Sequence, residues 1–128
     1  MTQQDSLAGS SSSALSSTVV VCAYTLDRWD DLSAAVDAVL DQSIAASELI
    51  LVIDHNDELA ERARAEFSPR SSSVTVVENR HPRGLSGARN TSLDMATGDI
   101  VVFLDDDARP RSTQWLSSIL HHYTDRAV

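Results

Sequence analysis

Three consecutive carboxylates, Asp105, Asp106 and Asp107, are the residues most suited to chemistry in this chain. They follow five apolar residues, 100–104, which predict a strand that is buried on both faces. In an extended backbone Asp105 and Asp107 point to the same side, with their Cα atoms roughly 7 Å apart. Because carboxylates this close repel one another, the cluster requires a proton or a cation. Oxygen ligands favour Mg²⁺ or Mn²⁺, and the alternative is a solvated acidic turn.

Arg89 is a candidate for binding phosphate. It belongs to a basic, glycine-bearing stretch, residues 80–90, that runs from a loop into a predicted helix. There Arg89 lies near free backbone N–H groups and the positive end of the helix dipole, an arrangement that binds phosphate. The alternative is a surface arginine paired with a carboxylate. Gly84 and Gly87 permit close backbone approach, but they do not form the glycine-rich dinucleotide fingerprint.

Two further candidates, Tyr24 and Asp54, stand where predicted strands end. Tyr24 is either a platform for a nucleobase or a core aromatic at a strand end. Asp54 either accepts a hydrogen bond from a base N–H or caps the second helix. A metal-binding acidic cluster, a phosphate-seeking arginine and a base-sized aromatic together match a nucleoside diphosphate with a divalent cation.

The elements that position these residues alternate between strand and helix, which predicts an α/β three-layer sandwich with a mostly parallel, Rossmann-like sheet. With strand order 3-2-1-4 the chain reverses direction between strands one and four, and ligands bind at such a point. Tyr24 and Thr25 then flank one crevice with the three aspartates, and Asp54 lines its side. We expect strands over 18–24, 48–53, 74–78 and 100–104. We expect helices over 29–42 and 57–67, a third that follows from the loop in residues 80–90 and continues to about 96, and a fourth that starts at 110–112 and includes residues 116–123.

The helix boundaries rest on three local interpretations. Asp57 is expected to cap the second helix, and Ser68-Pro69 to stop it. Gly98 is expected to be the C′ residue that ends the third helix.

Composition bounds the class of protein. The 128 residues carry a formal charge of −9, which argues against a general nucleic-acid or anionic-membrane binder. The serine-rich residues 1–17 predict a disordered leader, and residues 18–128 the folded part. A single cysteine, Cys22, indicates a reducing compartment. Without a signal peptide or an 18-residue apolar stretch we expect no membrane span. The expected location is therefore the cytoplasm, or the inner membrane face through segments outside this chain.

Four stretches in order, residues 19–25, 50–57, 83–90 and 98–107, carry a family resemblance. From about Val19 to Val128 the sequence resembles the family 2 glycosyltransferases, which have the GT-A fold. The resemblance implies that the acidic cluster is the family's DxD-type motif. Asp107, with Asp105, would coordinate the metal that bridges the diphosphate, while Asp105 and Asp106 would contact the ribose or metal-bound water.

The resemblance also assigns the nucleotide contacts. Ala23, Tyr24 and Asp54 match the positions that hold the nucleobase, commonly uracil, and Arg89 matches the arginine that reaches the nucleotide. His55 stands where many members carry a second acid, which bears on the identity of the base.

The activity implied is transfer of a sugar from a nucleoside-diphosphate sugar, a UDP-sugar being favoured, with inversion at the anomeric carbon. The acceptor, a glycan, a lipid or a small molecule, is not specified. The catalytic base is expected beyond Val128, so the chain is interpreted as a truncated, donor-binding half with an incomplete sheet. We expect its unpaired fourth strand to cause self-association.

Two other hypotheses remain. One is a non-catalytic nucleotide-binding remnant or interaction module. The other is a haloacid-dehalogenase-type phosphatase, with Asp105 as nucleophile and Asp107 as acid. Enzymes of that type place their Asp-x-Asp after the first strand, whereas here it follows the fourth.

Overall fold

A computed structural model describes residues 15–126, with side chains through Tyr123. The described chain folds into four strands and four helices that alternate, with short 3₁₀ turns at Leu26–Arg28 and Ser68–Arg70. The elements, in chain order, are β1 (Ser17–Ala23), α1 (Trp29–Leu40), β2 (Glu48–Ile53), α2 (Asp57–Phe67), β3 (Val74–Glu78), α3 (Leu85–Met95), β4 (Ile100–Asp105) and α4 (Trp115–Arg126).

The four strands form one parallel sheet in the order β3-β2-β1-β4, which confirms the predicted order 3-2-1-4. Strand β1 lies between β2 and β4, with Ala23 opposite Ile53 and Cys22 opposite Asp105. The carboxyl ends of these three strands are therefore level at one edge of the sheet. The chain leaves β1 towards β2 on one side and returns to β4 on the other, so this edge is the switch point where α/β folds bind ligands.

Helices cover both faces of the sheet, as a three-layer sandwich requires. Alternate residues of β1 and β2 point to opposite faces. Val19, Val21 and Leu51 pack in a large core with α1, α2 and α4, where the rings of Trp29 and Phe67 stack at 5.0 Å. On the other face Val20, Ile50 and Val52 pack against Ala88 of α3. The near-continuous apolar composition of β1 and β2 follows from this burial on both sides.

The fourth strand differs from the prediction of burial on both faces. Every residue of β4 is at least partly exposed, and Phe103 is 38% exposed. The reason is position: within the described chain β4 is an edge strand, with β1 on one side only. The apolar composition of β4 is therefore not matched by complete burial of its side chains.

Several predicted boundaries also change. The first strand begins at Ser17, inside the predicted leader, and ends before Tyr24; residues 1–14 of that leader lie outside the described residues. The cap of α2 is Asn56, whose side chain accepts a hydrogen bond from the Leu59 amide, so the assignment to Asp57 was wrong. Residues 68–70 do not simply stop α2 but continue it as a 3₁₀ turn.

Gly98 has a different role from the one predicted. Helix α3 ends at Met95 and its C-cap is Ala96 in extended backbone, so Gly98 is not a C′ glycine. A Cβ at this position would lie 2.6 Å from the backbone nitrogen of Thr18 and 2.7 Å from the carbonyl carbon of Ser17. Glycine is required here because the loop before β4 crosses directly over the start of β1.

Replacing Gly98 with valine should therefore lower the free energy of unfolding by about 3 kcal/mol, since the backbone must move to admit the side chain. Urea unfolding followed by circular dichroism measures this. Ser72→Val, in an exposed loop, is the control and should change the free energy by no more than about 0.5 kcal/mol. A Gly98→Val chain as stable as the wild type would contradict the close approach.

Candidate functional site

A pocket of about 510 Å³ opens at the carboxyl ends of β1, β2 and β4, on the face of the sheet that α3 covers. It brings together all but one of the residues singled out from the sequence. Those that line it are Ala23, Tyr24, Asp54, Arg89, Asp105, Asp106 and Asp107. Thr25 is the exception among the described candidates, because its hydroxyl accepts a hydrogen bond from the Asp27 amide and caps the 3₁₀ turn.

The acidic cluster is a turn and not the end of an extended strand. Strand β4 ends at Asp105, and the amide of Ala108 donates a hydrogen bond of 3.0 Å to the Asp105 carbonyl. The extended geometry expected for Asp105 and Asp107 was therefore wrong. The turn leaves Asp105 and Asp107 exposed, whereas Asp106 between them is only 5% exposed.

Asp106 is a buried carboxylate with only one of its two oxygens hydrogen-bonded. Its Oδ1 lies 3.3 Å from Nη1 of Arg28, while its Oδ2 has no hydrogen-bond partner among the described residues. Burial raises the pKa of Asp106, Arg28 opposes that shift, and the neighbouring carboxylates Asp107 and Asp105 add to it. The turn is thus short of positive charge.

The donor chemistry of this turn fits a hard dication. Carboxylate oxygens at the mouth of a pocket suit Mg²⁺ or Mn²⁺, and the buried Oδ2 of Asp106 marks unsatisfied negative charge. Within the described part of the chain, however, no three acidic, imidazole or thiol side chains form a ready-made metal site. A cation here would need further oxygen ligands from a bound molecule, as Mg²⁺ does when it takes phosphate oxygens.

Asp54 fixes the loop in front of α3. Its Oδ1 accepts a hydrogen bond of 2.8 Å from Asn79 Nδ2, and its Oδ2 accepts one of 2.9 Å from the Gly84 amide. The carboxylate is 7% exposed and does not cap α2, so that alternative was wrong. The neighbouring His55 has a left-handed φ of 54° and donates through Nε2 to the His81 carbonyl at 2.8 Å.

Helix α3 presents its N-terminus at the pocket. It begins at Leu85 after Gly84, which has a φ of 132° and supplies no side-chain cap. The first amides of the helix therefore lack a capping side chain, and the positive end of the dipole is directed towards the pocket. Arg89 is the fifth helical residue, within the first two turns where it was expected. Its guanidinium lies 5.1 Å from the Phe103 ring centroid.

Tyr24 is 53% exposed, so it is not the core aromatic that was one alternative. The guanidinium of Arg28 lies 5.4 Å from the centroid of its ring. The pocket is therefore lined by two pairs of an arginine and an aromatic ring. One is Arg28 with Tyr24, and the other is Arg89 with Phe103.

Comparison with known proteins decides the family. The model of "Glycosyl transferase family 2" matches residues 18–128. This chain belongs to glycosyl transferase family 2. A relative is the glucosyl-dolichyl phosphate glucuronosyltransferase of Haloferax volcanii, 33% identical over 105 residues, which are 82% of this chain and 33% of that protein. The family resemblance drawn from the four sequence stretches is confirmed.

Solved structures give the same fold. The mannosyltransferase PcManGT from Pyrobaculum calidifontis, solved in complex with GDP-Man and Mn²⁺, aligns with a TM-score of 0.66 at 29% identity, over 81% of this chain and 31% of that one. S. aureus TarS 1–349 in complex with UDP-GlcNAc aligns with a TM-score of 0.65 at 19% identity, over 87% and 31%. The GT-A fold is thereby confirmed. The chain spans about a third of the length of these relatives.

Sequence reasoning missed several pocket residues of this glycosyltransferase chain. They are Arg28, Arg83, Leu85 and Phe103, with the small or apolar Val20, Cys22, Ala88 and Leu104 of the floor. Arg28 could have been found, because it follows β1 closely in the loop that must reach the same edge. The floor residues occupy ordinary strand and helix positions, and nothing in their sequence pattern marks them as pocket residues.

Cys22 on that floor should react slowly. Burial raises the pKa of the thiol from 9.0 to about 11, with Arg89 opposing the shift. Because the thiolate is the nucleophile, iodoacetamide at pH 8 should modify the folded chain about a hundredfold more slowly than the chain unfolded in urea. The rate should keep rising to pH 10. Equal rates in folded and unfolded chains would contradict this account.

No helix within residues 15–126 combines the length and the apolar character needed to cross a membrane.

Proposed function

We propose that this family 2 glycosyltransferase chain binds the nucleoside-diphosphate sugar of a glycosyl transfer reaction, together with Mg²⁺ or Mn²⁺. The observation that carries the proposal is convergence: an acidic turn, an open helix N-terminus, three arginines and an exposed tyrosine line one pocket of about 510 Å³. Such a pocket suits a ligand with an anionic centre and a flat, aromatic end. We favour a UDP-sugar as the ligand.

Each end of the ligand has its own residues in this proposal. Asp107 and Asp105, both exposed, would hold the cation against the diphosphate. Arg89 and the amides at the start of α3 would bind phosphate oxygens, as helix N-termini do. The cation is needed because a chain with a net charge of −9 and three adjacent aspartates otherwise repels a diphosphate.

The base would lie at the other side of the pocket. Tyr24 offers an exposed ring for stacking, and Ala23 leaves room beside it at the end of β1. Asp54 would accept from a base N–H while it holds Gly84, since a carboxylate has about four acceptor sites and two are used.

A divalent cation, when bound, stabilises negative charge on the departing diphosphate. The mannosyltransferase of P. calidifontis, 29% identical to this chain, was solved with Mn²⁺ and GDP-Man. That complex supports the proposal that this chain also binds its nucleotide-sugar with a cation. We propose inversion at the anomeric carbon, with the acceptor's proton taken by a carboxylate outside residues 18–128, because the matched relatives are about three times as long. The single cysteine supports our proposal of a reducing compartment, the cytoplasm.

The family match favours glycosyl transfer over the phosphatase hypothesis. A nucleotide-binding module without chemistry remains a second candidate, because the chain spans about a third of its relatives. The two share the same ligand, and they differ in whether the sugar is transferred to an acceptor or stays attached to the bound nucleotide.

Ligand-shifted melting with a panel of nucleotide-sugars tests the proposal. With Mn²⁺ present, UDP-sugars at a hundred times their Kd should stabilise the chain by about 2.7 kcal/mol, which a rise of several degrees in Tm reports. At the same concentration as the UDP-sugars, GDP- and dTDP-sugars should shift the Tm less. No shift with any member of the panel would overturn the proposed function, and a larger shift with GDP-sugars would correct the base.

A further inference from the structure

We propose that Arg28 is a positioning residue that holds Asp106 as the buried anchor of the acidic turn, so that Asp105 and Asp107 alone face the cation. This inference rests on the proposed function, because it assigns different roles to three aspartates of the same candidate site. It also gives a role to an arginine that neither the motif nor the spacing had singled out.

The three aspartates have unequal surroundings. Asp106 is 5% exposed and its Oδ1 lies 3.3 Å from Arg28 Nη1. Asp105 and Asp107 are exposed, and among the described residues their carboxylates make no ion pair or hydrogen bond. Asp106 is paired with Arg28 through Oδ1, and its unpartnered Oδ2 is buried and therefore less accessible to a cation. The two exposed carboxylates can take a cation without losing an existing contact.

Arg28 is itself held in place. It ends the 3₁₀ turn Leu26–Arg28, which Thr25 caps by accepting a hydrogen bond from the Asp27 amide at 3.1 Å. Its guanidinium also lies 5.4 Å from the Tyr24 ring centroid, within the range of a cation–π contact. Thr25 thus contributes to the site indirectly, by fixing the turn that carries Arg28.

A second ion pair joins the same two segments, with the arginine and the aspartate on the opposite segments from those in the Arg28–Asp106 pair. Arg109, from the segment after the acidic turn, donates to Asp31 of α1 at 3.2 Å. Two ion pairs therefore hold the segment of Asp106 and Arg109 against the start of α1. One uses Arg28, which precedes α1, and the other uses Arg109 of the segment itself. Two attachments fix the orientation of a turn better than one.

The charges support this division of roles. The three aspartates carry three negative charges. With the permanent positive charge of Arg28, the four side chains together have a net charge of −2. A dication neutralises that remainder. Without Arg28 the buried carboxylate of Asp106 would lose its ion-pair partner, which costs stability; because the Arg28 side chain is 41% exposed, the cost should be a fraction of that for a fully buried pair. The turn would then shift to bring Asp106 to water or to the cation.

A double-mutant cycle tests the proposal. The deciding result is whether Asp106→Asn raises or lowers the stability and the UDP affinity of the Arg28→Met variant. The variants are Arg28→Met, Asp106→Asn and the two combined, with Arg28→Lys as the conservative change. Arg64→Gln, which removes a surface ion pair to Glu78 outside the pocket lining, is the matched control. Isothermal titration measures UDP affinity at fixed Mn²⁺, and calorimetry measures Tm.

We expect Arg28→Met to weaken UDP binding about tenfold and to lower the Tm by about 5 °C. Adding Asp106→Asn to it should regain at least half of both losses, since no uncompensated charge is then buried. The UDP affinity of Arg28→Lys should stay within about threefold of that of the wild type. Arg64→Gln should have the same UDP affinity and Tm as the wild type.

If Asp106 were instead a direct ligand, Asp106→Asn would weaken the Arg28→Met variant further and would remove the Mn²⁺ dependence by itself. Either result overturns the inference. A wild-type chain that binds no nucleotide would overturn the proposed function and the cation-facing roles with it. The Tm values would then decide separately whether Arg28 anchors Asp106, because they need no ligand.

Discussion

Asp107→Asn should lower the affinity for UDP in the presence of Mn²⁺ by about a hundredfold, equivalent to about 2.8 kcal/mol. The substitution keeps the shape of the side chain and removes only the charge. Asp107 lies exposed in the turn after β4 and makes no ion pair among the described residues, so its negative charge is available for a cation. The residual affinity should be the same with Mn²⁺ and with a chelator.

Isothermal titration of both chains with UDP, each with Mn²⁺ and with EDTA, measures this difference. Asp30→Asn is a matched control, because Asp30 is an exposed aspartate in the first turn of α1 and does not line the pocket. It should leave the affinity unchanged. An Asp107→Asn chain that still gains affinity from Mn²⁺ would show that this carboxylate does not hold the cation.

Asp54→Ala should be costly in two ways, for stability and for binding. The change removes the acceptor of the Gly84 backbone amide and one of the two acceptors of Asn79 Nδ2, which keeps its hydrogen bond to the Pro82 carbonyl. Losing these two hydrogen bonds, one from buried Asn79 and one from partly buried Gly84, should cost about 3 kcal/mol of unfolding free energy in total. Because the same loop leads into α3, we also expect UDP affinity to fall about thirtyfold, equivalent to about 2 kcal/mol.

Urea unfolding and UDP titration measure the two effects separately. Asp57→Ala is the control, since Asp57 is exposed at the start of α2 and does not line the pocket; it should cost no more than about 0.5 kcal/mol. If Asp54→Ala lost stability but kept its affinity, Asp54 would hold the loop and nothing else. If neither changed, the hydrogen bonds to Asn79 and Gly84 would have no energetic weight.

The sheet could be predicted from sequence because its central strands are buried on both sides. Strands β2 and β3 have the predicted bounds, and β1 differs by one residue at each end. Apolar runs of this kind are readable when helices cover both faces. The same pattern misled at β4, where the run is equally apolar but the strand lies at an edge and its side chains stay partly exposed.

The location of the site followed from topology, but its details did not. Parallel strands place their carboxyl ends together, so Tyr24, Asp54 and the acidic turn had to converge. Which aspartate is buried depends on a turn that begins at Asp105, and a motif does not encode that turn. The pairing of Arg28 with Asp106 joins residues 78 positions apart, beyond the reach of local spacing.

The central claim is that this pocket accepts a pyrophosphate only when a dication neutralises its acidic turn. Calorimetric titration of the wild-type chain with UDP, once with Mn²⁺ and once with EDTA, tests it most directly. We expect saturable binding with Mn²⁺ and an affinity at least a hundredfold weaker with EDTA. Equal affinity under the two conditions would contradict the account.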